Sequence, residues 1–275
     1  MSVYDCSCST CFLIKGDFEP SEIIERLNGS VSVFDRRKKG ESDGNVIYPD
    51  SRLALNACRK FSPYSSEQME KTIKSLYERE NVLNELRETY DLEYYLFVKP
   101  VFSGDVLPDI SPSDEVIGFC SRTKTELVYS IDLCSDVEYE PQFDGNGCKT
   151  YFLVDGDFDV DEVITRVKLR VEKFRNRGES NRSGKAYERT SISAETVTKY
   201  SPFVCSQAYE TIKPLIPQID KLDKLKRMLN CDYSLMIVPY LDGKSPIDLS
   251  LKQPILDFCY RTGTHICYDI YRMND

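Results

Sequence analysis

Three cysteines close to the N-terminus, Cys6, Cys8 and Cys11, form a C-x-C-x-x-C cluster. Thiolates at such spacing are ligands for zinc or copper(I). A closed zinc site needs a fourth ligand, and the chain contains a single histidine, His265, far away in sequence. The cluster is therefore the candidate metal site, but the favoured interpretation is a set of free thiols near a terminus. We predict no metal and no cofactor.

Carboxylates recur at matching places in the two halves of the chain, as Asp17 with Asp157 and Glu22 with Glu162. Such groups could act as a general acid and base. They also flank the start of a predicted helix, where anions stabilise the free N–H groups. The role at the helix start is favoured. With a single histidine in the chain, a metal site with several histidines is also excluded, and a catalytic triad is disfavoured. No catalytic residue is therefore predicted.

Basic side chains concentrate in two Gly-containing segments of an otherwise acidic chain. One interpretation is the capture of an anion or an acidic partner, and the other is a pair of solvated hairpin tips. Arg122 and Arg261 precede predicted helix ends, where a cation interacts favourably with the helix dipole. The alternative is that each arginine binds an anion in its half of the chain. The candidate binding residues are Arg36, Arg37, Lys38, Lys39, Arg175, Arg177, Arg182, Lys185, Arg122 and Arg261.

Composition limits the classes of protein that the chain can represent. With 275 residues, 41% hydrophobic and 29% charged, it is long enough for two globular domains. The N-terminus has no signal-peptide pattern and no apolar run is long enough to span a bilayer, so we expect a cytoplasmic location and no membrane contact. The 11 cysteines are then reduced thiols. A net charge of −9 argues against nucleic acid and suits a cationic partner, or simply keeps the chain in solution.

The chain contains an internal repeat that covers nearly its whole length. The segment TCFLIKGDFEPSEIIERL at 10–27 matches TYFLVDGDFDVDEVITRV at 150–167, and FCSRTKTEL at 119–127 matches FCYRTGTHI at 258–266. Between the copies, the stretch 134–147 is rich in Pro, Gly and acidic residues, as linkers are. We predict a first lobe at 1–135, a linker at 136–147 and a second lobe at 148–275.

Each copy shows the same order of periodic segments, β-α-β-β-α-β-α-β. Apolar residues alternate in the strands and recur at helical spacing in one long segment, 66–90, whose copy is interrupted by Pro214 and Pro217. The predicted fold class is α+β, with two similar lobes that each contain a mainly antiparallel sheet of about five strands and helices packed on one face.

The motifs resemble those of a known family. The stretches Ile14–Ile24 and Val154–Ile164, with Ile117–Leu133 and Leu256–Tyr271, are similar to the domain-of-unknown-function family 4279. The tryptophan common in the third strand of that family has no counterpart here, since the chain has no Trp. The resemblance implies an α+β domain in tandem duplication, with no established activity and no catalytic residue.

Three functional hypotheses follow. The first is a non-catalytic interaction protein whose partner is another protein, for example an immunity protein that neutralises a cationic toxin. The second is a binder of anions or nucleic acid that uses the basic hairpin loops, which would show salt-dependent binding. The third is an enzyme with a site between the lobes. The sequence leaves the partner, the lobe arrangement and the oligomeric state open.

Overall fold

The computed structural model describes residues 7–29, 31–44, 46–62, 64–102, 109–133, 147–180, 183–199, 203–241 and 247–272. Cys6, Arg182 and residues 136–146 of the predicted linker lie outside the described residues. The chain divides into two compact units. Unit 1 comprises Met1–Val137 with Leu249–Gln253, and unit 2 comprises Glu138–Asp248 with Pro254–Asp275.

The elements of the two halves follow the same order. Those of the first half are β1 Ser7–Gly16, α1 Pro20–Arg26, β2 Val33–Arg37, β3 Ser42–Asp43, β4 Val46–Ile47, β5 Ser51–Phe61, α2 Ser66–Ile73, a 3₁₀ helix Lys74–Arg79, α3 Glu80–Tyr90, β6 Glu93–Phe102, α4 Asp114–Thr123, β7 Thr125–Tyr129 and β8 Asp132–Leu133. Those of the second half are β9 Gly147–Gly156, α5 Val160–Arg166, β10 Val171–Arg175, β11 Thr190–Ala194, β12 Val197–Lys199, α6 Val204–Ile212, a 3₁₀ helix Ile216–Gln218, α7 Ile219–Leu229, β13 Asp232–Leu241, α8 Gln253–Thr262, β14 Thr264–Tyr268 and β15 Tyr271–Arg272.

The two sheets have the same topology. Their strand orders are β2-β5-β1-β6-β7 and β10-β11-β9-β13-β14. The last pair in each sheet is parallel and the other neighbours are antiparallel. The strands β2, β5, β1 and β6, and their copies β10, β11, β9 and β13, have the split β-α-β arrangement. A helix and a parallel strand, β7 or β14, are added at one edge. The predicted α+β fold class is confirmed.

The central strands β1 and β9 explain why the helices cover one face. In β9, Thr150, Phe152 and Val154 are fully buried, whereas Tyr151 and Leu153 between them are only partly buried. Because successive side chains point to opposite faces, one face of the strand belongs to the core and the other does not. Phe152 packs against Tyr233 and Phe258, with ring centroids 5.3 and 6.0 Å apart, and Phe12 repeats this in unit 1 against Tyr94 and Phe119.

Local signals predict several helix ends correctly. Pro20 occupies the first turn of α1, and the side chain of Asp159 accepts a hydrogen bond from the Asp161 N–H at the start of α5. Glu162, in the first turn of the same helix, pairs with Arg166 at 3.0 Å. Gly263 follows α8 with φ +60°, as a C-cap glycine does.

The long helix predicted at 66–90 is not continuous. A 3₁₀ helix at Lys74–Arg79 separates α2 from α3, and the second copy has its own 3₁₀ turn at Ile216–Gln218. In the second copy Pro214 and Pro217 account for the break, as predicted. The break in the first copy has no proline, although the helical periodicity of its sequence would permit one continuous helix.

The segment Leu249–Gln253 belongs to unit 1, although it falls within the range predicted for the second lobe. Leu251 and Leu127 exchange backbone hydrogen bonds of 2.8 and 3.1 Å. The side-chain amide of Gln253 donates to the carbonyls of Cys120 and Thr125 at 3.3 and 2.8 Å. Through these contacts with α4 and β7, the segment Leu249–Gln253 becomes part of unit 1 although it lies far from that unit in sequence.

A buried glutamine at the same place in each copy has different surroundings. In unit 2, the amide nitrogen of Gln207 donates to the carbonyls of Cys148 and Val197, at 2.5 and 2.7 Å, next to the interruption between β11 and β12. Gln68 in unit 1 is equally buried, but neither its amide nitrogen nor its amide oxygen has a hydrogen-bond partner among the described residues. Since an unpaired buried amide is unfavourable, the two glutamines contribute differently to stability.

We predict opposite outcomes for the matched substitutions Gln207→Met and Gln68→Met. The first removes the side-chain donor to the Cys148 and Val197 carbonyls and should lower the free energy of unfolding by about 1–3 kcal/mol. The second removes an unpaired amide and should leave stability unchanged or raise it. Urea titrations followed by circular dichroism measure both, and equal losses in the two variants would contradict the assignment.

Candidate binding groove

The face of the second sheet that points away from the helices forms an open groove within unit 2. Lys149 and Tyr151 come from β9, Tyr240 from β13 and Tyr271 from β15. These positions alternate with the buried residues of their strands, so they point to the face opposite the core. Arg175 and Tyr187 line the groove as well, and its volume is about 1030 Å³. We call these six residues the tyrosine groove.

Two of the tyrosines form a stacked pair. Tyr240 and Tyr271 are register partners on parallel strands, with ring centroids 5.6 Å apart and an angle of 25° between the rings. The ammonium of Lys149 lies 5.3 Å from the centroid of the Tyr240 ring. The Tyr271 hydroxyl donates to Asp269 at 3.0 Å, and this bond raises the pKa of Tyr271. The stack is therefore held by its own contacts before any ligand is present.

The remaining charged side chains of the groove differ in whether they form ion pairs or hydrogen bonds with other residues. The guanidinium of Arg175 lies 4.8 Å from the centroid of Tyr187. Glu172 accepts the backbone N–H of Thr196 at 2.8 Å, which lowers the pKa of its carboxyl, and Glu195 pairs with Arg170 at 3.4 Å. Across the described residues, no carboxylate lies within ion-pair distance of Lys149 or Arg175. These two carboxylates of the groove are thus already bonded to other groups, whereas Lys149 and Arg175 lie over rings and not beside a described carboxylate.

Unit 1 has the same sheet without these tyrosines. The registers place Cys11 where unit 2 has Tyr151, Val101 where it has Tyr240, and Asp132 where it has Tyr271. The fold therefore does not require the three rings. The three tyrosines were not predicted, because they stand at outward-facing positions where the two copies differ, and the repeat is recognised from positions that match.

The two basic segments form the same hairpin turn. The N–H of Gly40 donates to the carbonyl of Tyr48 at 2.9 Å, and the N–H of Gly178 donates to that of Tyr187 at the same distance. The guanidinium of Arg37 lies 5.0 Å from the ring centroid of Tyr48, as Arg175 lies over Tyr187. The prediction of equivalent hairpins is correct, and Arg175 connects the second one to the tyrosine groove.

Most cations of the hairpins already have carboxylate partners. Lys38 pairs with Glu19 and Lys39 with Asp17, both at 2.5 Å. Arg177 pairs with Asp157, the copy of Asp17. Arg37 contacts Asp35 at 3.2 Å and Lys185 contacts Glu188 at 3.9 Å, whereas Arg36 is exposed on β2. Asp17 and Asp157 thus hold the hairpins, a role that their position before a helix did not suggest.

Arg122 and Arg261 connect helices. Arg122 forms two hydrogen bonds with Glu80, of 2.7 and 2.8 Å, and thereby ties α4 to the first residue of α3. Arg261 lies 3.7 Å from Asp220 and makes the weaker equivalent contact between α8 and α7. Neither side chain lines the tyrosine groove.

The structure does not bring the described members of the cysteine cluster together. Cys8 is buried on the core side of β1, and Cys11, three residues on, points to the opposite face. Burial raises the pKa of the Cys8 thiol to about 12, so it is protonated at neutral pH. No group of His, Cys, Asp and Glu suited to a metal occurs among the described residues, and none of their helices is long and apolar enough to cross a membrane.

Comparisons with known proteins give no family. No protein-family model matches the chain. The tRNA-2-methylthio-N(6)-dimethylallyladenosine synthases of three Clostridium perfringens strains are each 27% identical over 132 residues, which is 47% of this chain and 28% of theirs. The chain thus spans under a third of the length of these relatives. A crystal structure described as a glycine cleavage system transcriptional repressor aligns over 84% of this chain and 97% of its own, at 11% identity and a TM-score of 0.19, which supports no argument.

Burial of thiols predicts a loss of stability at alkaline pH. Desolvation raises the pKa values of Cys8, Cys120 and Cys148 from 9.0 to about 12. Above pH 9 the unfolded chain releases protons that the folded chain retains, so stability should be complete below pH 9 and fall as the pH rises toward 12. Urea midpoints across this range measure the effect.

The matched variants are Cys120→Ala and Ile14→Val. The first removes a fully buried thiol and should make the alkaline loss shallower. The second removes a fully buried methyl group, which should lower stability equally at every pH and leave the slope as it is. A pH-independent midpoint in the unmodified protein would contradict this interpretation.

Proposed function

We propose that this protein is a non-catalytic binding protein and that its ligand occupies the tyrosine groove. The observation that carries the proposal is the difference between the copies. Unit 1 forms the same sheet with Cys11, Val101 and Asp132 at the positions of the three tyrosines. Since the same sheet forms without these three rings, the rings of unit 2 serve something other than folding.

Tyrosines suit a binding surface for a physical reason. Each ring buries a large area on contact and has few rotatable bonds, so little conformational entropy is lost. The Tyr240–Tyr271 stack and the hydrogen bond to Asp269 restrict the rings further before binding. Preorganisation of this kind increases affinity.

The chemistry of the groove supports binding over catalysis. Its lining includes rings, two cations held over rings, and carboxylates that already accept hydrogen bonds or pair with cations. The thiol of Cys148 on β9 has its pKa raised to about 12 by burial, so it is not a thiolate nucleophile at neutral pH. These groups hold a ligand and supply no proton relay.

The protein partner and the location stay predictions. A cytoplasmic location and a protein partner, such as the target of an immunity protein, follow from the sequence and its charge of −9. The enzyme hypothesis and the resemblance to family 4279 also stay predictions. The hypothesis of anion capture by the hairpin loops is less favoured, because Lys38, Lys39 and Arg177 are paired with carboxylates.

The proposal predicts that ligand binding depends on the three tyrosines. The test variant carries Tyr151→Cys, Tyr240→Val and Tyr271→Asp, which are the residues that unit 1 uses at these positions. Because unit 1 folds with them, the variant should keep its circular dichroism spectrum and urea midpoint. Tagged protein captured from cells of the source organism should carry a ligand that the variant lacks.

The control variant is Tyr64→Ala, which removes an exposed tyrosine of unit 1 outside the groove. Captured proteins are identified by mass spectrometry, captured nucleic acid by sequencing, and small molecules after extraction. Ligands retained equally by the groove variant and by the control variant would refute the proposal.

A further inference from the structure

We infer that the ligand of the tyrosine groove is a segment of single-stranded nucleic acid. This inference rests on the proposed function and adds the chemistry of the ligand. Such a strand alternates planar bases, which stack on aromatic rings, with phosphates, which attract cations. The groove presents rings and unpaired cations in a corresponding order.

The order of the groups follows from strand register. On β9, Tyr151 is opposite Met236 and Lys149 is opposite Val238. Tyr240, with Tyr271 beside it, lies opposite Gly147. One ring, one cation and a stacked ring pair therefore succeed one another along the same sheet face.

The row continues at the other end of the groove. Arg175 is paired with Ser191, and Ser191 is paired with Asp155, four positions along β9 from Tyr151. The Tyr187 ring lies beneath the Arg175 guanidinium, at 4.8 Å. Ring and cation thus alternate from Tyr187 and Arg175, through Tyr151 and Lys149, to the Tyr240–Tyr271 stack, over roughly 26 Å of strand.

The distribution of charge favours an anionic ligand. Lys149 and Arg175 have no carboxylate within ion-pair distance among the described residues, so an incoming phosphate does not need to displace one. Glu172 is held by the N–H of Thr196, Asp269 by Tyr271, and Glu195 by Arg170. The net charge of −9 opposes long-range attraction of a polyanion, so contact inside the groove must supply the affinity.

The strand plan supports the same ligand by analogy. RNA-recognition modules built on a four-stranded sheet bind single strands by stacking bases on aromatic residues of the open face. A shared plan does not establish a shared function, and the rings here occupy β9, β13 and β15. Support for a nucleic-acid ligand therefore comes from the rings and the cations of the groove, and not from the strand plan.

The test measures fluorescence anisotropy with the full chain and labelled oligo-rU, oligo-rA and oligo-dT. Single strands should bind, and an unlabelled duplex or heparin should not compete effectively, because neither presents unstacked bases. Two phosphate contacts predict a slope of about −1.4 in log affinity against log salt. Capture by four or more hairpin cations would give a slope about twice as steep.

The substitutions separate rings from cations. Tyr240→Ala with Tyr271→Ala should weaken binding about tenfold or more at all salt concentrations. Lys149→Ala with Arg175→Ala should weaken binding and bring the slope close to zero. Tyr64→Ala and Lys221→Ala, outside the groove, should change neither quantity. Should the alanine variants unfold, the variant with the three unit 1 residues replaces them.

The outcomes distinguish this inference from the proposed function. Absence of oligonucleotide binding, or equal competition by heparin, overturns the nucleic-acid inference. If capture from cells then yields a protein lost with the groove tyrosines, the proposed function stands and its ligand is a protein. If nothing captured depends on the tyrosines, both are wrong. Loss of oligonucleotide binding on Arg37→Glu with Arg177→Glu, but not in the groove variants, assigns binding to the hairpin loops and overturns the inference.

Discussion

One-sided burial of the central strand is the constraint on which the rest of each unit depends. In β1 and β9, every second side chain enters a core of helices and aromatic rings, and the alternate side chains do not. Buried threonine pairs reinforce the arrangement, since the hydroxyls of Thr10 and Thr72 lie 2.6 Å apart and those of Thr150 and Thr211 lie 2.7 Å apart. Because hydroxyls in a core must be paired, these contacts fix the helix against the strand. The opposite face of the sheet is left available for other uses.

Comparison of the two units distinguishes residues that serve the fold from residues that are available for function. The residues that both copies share include the core rings, the threonine pairs and the hairpin clips formed by Asp17 with Lys39 and by Asp157 with Arg177. These residues form the fold. Three tyrosines of the groove, Tyr151, Tyr240 and Tyr271, are present in one copy only, and the same sheet forms without them. This contrast supports a role in binding more directly than the chemistry of any single side chain.

Features set by interactions between residues close in sequence were predicted correctly, and features set by contacts between distant residues were not. Strand alternation, the proline at the start of α1 and the break near Pro214 are local effects, and each was predicted. The break at Lys74–Arg79 was not predicted, because local periodicity permits a continuous helix there. The basic residues of the hairpins were identified, but their pairing with Glu19, Asp17 and Asp157 depends on loops that meet only in the folded chain.

The sequence by itself determined the internal repeat, the α+β class and the faces of the strands, since all three are contained in periodicity and in the match between the copies. Only the tertiary structure decided which outward-facing residues become neighbours. Tyr151, Lys149, Tyr240 and Tyr271 come from three strands whose register is set by long-range pairing. Spacing along the chain carries no information about that register, so the groove becomes visible only when the strands are placed side by side.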